Sequence, residues 1–123
     1  MAIRLALIAA LLLSGCASTT HAATSFAEAE RLFDLQPRNA ATDAYGTTWA
    51  DYNNAQHLDE RDGCYFKAEG SLVQILQIDA TGKVIGYFSD KDNGRSQCWR
   101  NTYLGATFPK PPFAPFYHHL VMQ

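Results

Sequence analysis

Leu72-Val-Gln-Ile-Leu-Gln-Ile78, then Asp79-Ala-Thr-Gly-Lys83, then Val84-Ile-Gly-Tyr-Phe88 is the stretch that decides the fold. Both flanking runs are rich in β-branched and aromatic residues, which suit a pleated, packed surface. The five residues between them include Gly82, which accepts the positive φ that a tight turn demands. Two β-rich runs around a glycine turn predict an antiparallel hairpin over about residues 71–88.

Upstream of the hairpin the apolar period lengthens. Ser25-x-x-Glu28 is a capping box, and Phe26, Ala29, Leu32 and Phe33 follow at helical spacing. Pro37 pushes its predecessor out of the helical region and stops that helix near Gln36. A second amphipathic stretch follows Thr42-Asp43, with Tyr45, Trp49 and Tyr52 one above another; Gly46 and Asn53-Asn54 weaken it. His57 to Gly63 is highly charged and is expected to be a surface loop. Downstream, Asp90-Lys91-Asp92-Asn93-Gly94 is expected to be a plain turn, because it lacks the later bidentate Glu of a calcium loop. Arg95 to Leu104 is expected to be a short helix ending at Gly105, with Trp99 and Tyr103 on one face. Phe108-Pro109-Lys110-Pro111-Pro112 is expected to be extended, and Phe113 to Gln123 to supply a third strand or a short helix. The expected fold class is therefore α+β: N-terminal helices, a hairpin, a short helix, a proline-rich segment and a further strand.

The N-terminus carries an address. Met1-Ala-Ile-Arg4 is followed by Leu5 to Leu13 without a polar residue, then Ser14-Gly15-Cys16. One positive charge, a short apolar run and a small-residue cleavage site make a secretory signal. The run falls well short of the roughly 20 residues that a membrane-spanning helix needs. Leu13-Ser14-Gly15-Cys16 resembles the lipobox of bacterial lipoproteins. That resemblance implies diacylglycerol on the Cys16 sulfur, cleavage just before Cys16 and usually acylation of the new amine, and several acyl chains anchor a protein stably. Ala17 stands where an Asp would favour inner-membrane retention in enteric lipoproteins, so the expected location is the outer membrane, facing the periplasm. The domains expected are a signal peptide at 1–15, a lipidated tether at 16–24 and a single α+β domain at 25–123.

Removing residues 1–15 takes away one charge, Arg4, and turns the net charge of −2 into −3. A mildly acidic chain with no Lys/Arg cluster does not suit nucleic acid. Of the three cysteines, lipidation takes Cys16, which leaves Cys64 and Cys98 for one disulfide in an oxidising compartment. A metal pair or a catalytic thiol is the competing reading, but two cysteines do not complete a tetrahedral zinc site, and Cys-x-x-Cys spacing is absent. His118-His119 is the other tempting pair. Neighbours on a strand point to opposite faces, which places the two badly for one metal. Neither a cofactor nor a metal is expected. No Gly-x-Ser-x-Gly, His-Glu-x-x-His or phosphate loop occurs, and a binding module rather than an enzyme is the expectation.

From residue 70 to 112 the order is strand, Gly82 turn, strand, charged loop, Cys98 in a short helix, then Phe108-Pro-Lys-Pro-Pro112. This layout resembles the C-terminal periplasmic domain of TolA, within the broader TonB C-terminal fold. The family's first Cys starts the first hairpin strand, whereas Cys64 lies upstream of it, and the tail after Pro112 is shorter here. The family also has an inner-membrane helix and a long helical stalk, neither of which is read in this sequence. The resemblance implies docking of an envelope partner, such as a Tol–Pal component or a secretion machine, and TolA-type domains are also exploited by colicins and filamentous phage. A sheet edge is the expected docking element, with Leu72, Gln74, Leu76, Val84, Gly86 and Phe88 as its candidate residues. The competing function is a small lipoprotein inhibitor or immunity-type protein of a cell-wall hydrolase or toxin, with His57–Gly63 as its blocking loop.

Overall fold

The computed structural model describes residues 22–123, so Cys16 and the signal segment lie outside the described residues. The protein is α+β, in the order α1 (Phe26–Leu35), α2 (Ala40–Gln56), a 3₁₀ segment (Leu58–Lys67), β1 (Leu72–Ile78), β2 (Val84–Ser89), α3 (Gly94–Tyr103) and β3 (Phe116–Met122).

The hairpin forms where the sequence puts it. β1 and β2 pair antiparallel from Gln74↔Ser89 to Ile78↔Val84, and a register shift beside Gln77 leaves Ile85 as the extra residue of a bulge. Gly82 sits at φ +94, and a Cβ there would lie 2.0 Å from the Phe108 carbonyl oxygen. The turn therefore needs glycine for its backbone angle and for the close approach of the proline-rich segment. Phe108 N–H donates to the Gly82 carbonyl at 2.8 Å, which ties that segment to the turn.

The aromatic tail does form a strand. β3 pairs antiparallel with β1 along its whole length, from Leu72↔Met122 to Ile78↔Phe116, giving the order β2-β1-β3. β1 is thus central, and Leu72, Ile75, Leu76 and Ile78 are completely buried. A strand covered on both faces needs an almost continuous apolar run, which is what Leu72–Ile78 has. Each such side chain contributes about 1.5–3 kcal/mol on burial.

Helices cover both faces of the sheet. Ala29, Phe26, Leu32 and Phe33 of α1 pack on Ile75 and Tyr117. Tyr45 and Trp49 of α2 and Trp99 and Tyr103 of α3 pack on Leu72, Leu76, Ile78 and Phe116 opposite. Trp49 stacks on Phe108 with ring centroids 4.7 Å apart, so the proline-rich segment closes this second core. Tyr45 donates its hydroxyl to the Pro109 carbonyl at 2.8 Å, and burial pushes its pKa up to about 12.

Helix boundaries follow their caps. Ser25 accepts from Glu28 N–H at 3.2 Å, and Glu28 in turn accepts from Thr24. α2 starts earlier than Thr42-Asp43 because Asn39 caps it, accepting from Thr42 N–H at 3.1 Å. Asn53 is tolerated inside that helix, since it is buried and accepts from the Tyr103 hydroxyl. α3 starts on an Asn93–Ser96 capping box.

His57–Gly63 is no open loop: it lies largely within the 3₁₀ segment, with Leu58 buried. Asp62 and Gly63 break the helical path with φ of 58° and 61°. The turn delivers Cys64, completely buried, to α3, where it is bonded to Cys98 with Cα atoms 5.3 Å apart.

Candidate functional site

A partner strand needs outward-facing backbone N–H and C=O groups, so each strand is judged by where its hydrogen bonds go. β1 offers none, because both of its sides are paired. Leu72, Gln74 and Leu76 therefore do not form a docking edge, and all three side chains are completely buried.

β2 is an edge, but a partly covered one. Val84 donates to the Ala106 carbonyl and accepts from Gly105 N–H, each at 2.9 Å. The Tyr87 carbonyl faces outward and accepts from Arg100 Nη2 at 3.3 Å. Alternation then turns the backbone groups of Gly86 and Phe88 inward, toward β1. None of the six residues expected to dock a partner thus offers a free backbone pair. The hydrophobic pattern located the strands, but which strand became central and which residues of an edge face outward depended on β3, whose partner is distant in sequence. A groove of about 650 Å³ runs beside β2, between the start of α1 and α3, with Ile85, Lys91, Arg100 and Leu104 in its lining.

β3 is the more open edge. Tyr117 shows which of its residues face outward: its carbonyl accepts from Gln36 Nε2 at 2.7 Å, and its N–H donates to Gln36 Oε1 at 3.0 Å. By alternation His119 and Val121 face the same way. Among the described residues no hydrogen bond reaches the outward backbone groups of those two positions, and Val121 is 53% exposed. A groove of about 550 Å³ lies beside this edge, walled by Phe33, Gly46, Thr47 and Ala50.

The two histidines separate as neighbours on a strand must. His118 lies against Trp49 with ring centroids 4.1 Å apart, while His119 stacks on Phe33 at 5.0 Å. Burial, with His119 beside it, lowers the His118 pKa from 6.5 to about 4. Among the described residues no three His, Cys, Asp or Glu side chains gather as a metal ligand set. Nor is any described helix long and apolar enough to cross a membrane.

At the far end of the sheet the 3₁₀ segment presents Tyr65, 47% exposed, and Phe66, 87% exposed. The Tyr65 backbone is tied down. Buried Arg95 donates from Nε and Nη2 to the Tyr65 carbonyl at 3.0 and 2.8 Å, and from Nη1 to the Gly70 carbonyl. Its guanidinium also lies 4.7 Å from the centroid of the Tyr65 ring.

No family model, no curated protein and no solved structure matches this chain.

Proposed function

We propose that this protein is a lipid-anchored periplasmic interaction module that docks an envelope protein along a sheet edge, without catalysing a reaction. The observation that carries the reading is the open outer edge of β3 at His119 and Val121, set beside the groove between α1 and α2. An extended partner segment gains main-chain hydrogen bonds on such an edge and gains selectivity from side chains placed in the adjoining groove. The resemblance of residues 70–112 to the TolA C-terminal domain supports the same class of function, with a Tol–Pal or secretion component as the partner. The resemblance of Leu13-Ser14-Gly15-Cys16 to a lipobox supports an outer-membrane anchor, which would attach the domain through the tether read at residues 16–24.

The test uses proline at outward positions. His119→Pro and Val121→Pro each delete one outward N–H and leave the ladder to β1 intact, whereas Leu120→Pro deletes an inward one. Partners captured in the host by crosslinking of the full, lipidated chain should be lost from the first two variants while their thermal unfolding stays near wild type. Undiminished capture by both folded variants would rule out docking on β3.

A second reading rests on Tyr65 and Phe66. An exposed aromatic pair on a disulfide-stapled turn suits an inhibitor that presents a rigid plug to a cell-wall hydrolase or toxin. Phe66→Ala would then abolish inhibition of that hydrolase and leave capture through β3 unchanged.

A further inference from the structure

The side chain of Gln36 occupies the place that a partner strand would take. Its primary amide carries a donor and an acceptor side by side, as a peptide group does, and it uses both on Tyr117, at 2.7 and 3.0 Å. The two residues are 81 positions apart. The backbone of Gln36 is also held in place, so that only its side chain need move. It ends α1 in an extended conformation (φ −72°, ψ 150°), its N–H donates to the Phe33 carbonyl at 3.3 Å, and Pro37 excludes the helical alternative. The amide thereby closes the Tyr117 position, while His119 and Val121 beyond it stay open.

We propose that Gln36 is a displaceable latch on the β3 edge, an internal competitor that a docking strand must push aside to pair with Tyr117. The proposal rests on the docking reading above and adds a regulatory element to it. With the latch shut, a partner finds outward groups on two residues, His119 and Val121. With it open, the ladder extends to three, and the strand reaches the middle of the groove between α1 and α2. Two neutral hydrogen bonds, each of modest net worth in water, are enough to tune affinity without sealing the edge. Removing the amide should therefore raise partner occupancy on the order of tenfold at subsaturating partner.

The experiment uses the full chain in its host, with a photoreactive residue at position 121 and, separately, at position 85 on β2. Adduct yield at 121 is compared between wild type, Gln36→Ala and Gln36→Glu at matched expression. Gln36→Glu keeps the length of the side chain but presents a carboxylate to the Tyr117 carbonyl, so it too should open the latch. Several-fold higher yield at 121 in both variants, with yield at 85 unchanged, is the expected result. Equal yield at 121 in all three backgrounds would overturn the latch and leave docking on β3 standing. Absence of adducts at 121 in every background would overturn both. Amide exchange of the purified chain supplies an independent check. Tyr117 N–H should exchange faster in Gln36→Ala while the inward amides of His118 and Leu120 keep their protection, and an unchanged Tyr117 rate would also overturn the latch.

Discussion

The imidazole of His118 lies against the indole of Trp49, ring centroids 4.1 Å apart, on the face of the sheet that carries the larger core. This is a poor place for a charge. The neutral ring packs with the aromatic cluster, whereas protonation would bring a cation into it at the expense of its hydration. The folded-state pKa of about 4 against the ordinary 6.5 expresses that cost.

Between those two values the unfolded chain binds the proton and the folded chain does not. Stability is therefore fully present above pH 6.5 and is lost as pH falls toward 4. The loss expected from this one group is on the order of 2–3 kcal/mol. Urea midpoints measured across that range should fall, and His118→Leu should flatten the fall. A variant with the same pH slope as wild type would place the effect elsewhere.

Cys64 and Cys98 are 34 residues apart in sequence and join the 3₁₀ segment to α3. Replacing both with Ala should cost about 3–4 kcal/mol on the chain-entropy account. Chemical denaturation of the double variant measures the loss, and a reducing agent should lower the wild-type midpoint to match while leaving the variant unmoved.

Arg95 is buried, and among the described residues no carboxylate pairs with it; instead it donates to the carbonyls of Tyr65 and Gly70. Arg95→Leu should destabilise the protein by about 1–3 kcal/mol, because carbonyls held in a half-buried place lose their donor. Proteolysis should then cut first within Leu58–Lys67. Cleavage at wild-type rate would show that the disulfide alone holds the segment.

Gly82→Ala places a methyl group against the Phe108 carbonyl at a backbone angle that alanine resists. The expected loss is about 2 kcal/mol or more, with the proline-rich segment released from the turn. Near-ultraviolet circular dichroism, which reports the packing of Trp49 on Phe108, should weaken before the helical signal does.

The parts legible along the chain were those governed by local chemistry. The runs Leu72–Ile78 and Val84–Phe88 around Gly82 specify a hairpin by period and turn residue alone. Ser25 and Pro37 bracket α1 by capping and by steric exclusion, and Cys64 and Cys98 were the expected disulfide once the lipobox resemblance set Cys16 aside. The start of α2 was not read from the sequence: the structure begins it at Ala40 on the Asn39 cap, ahead of Thr42-Asp43. The tertiary structure decided what joins distant segments. β3 took the free side of β1, which made β1 central and removed Leu72, Gln74 and Leu76 as edge residues. Gln36 met Tyr117 across 81 positions, and Arg95 reached the carbonyl of Tyr65. Such contacts follow from packing two helical layers on one sheet. Strand order and the outward residues of an edge are set by that packing, because propensity and spacing act only on near neighbours in the chain.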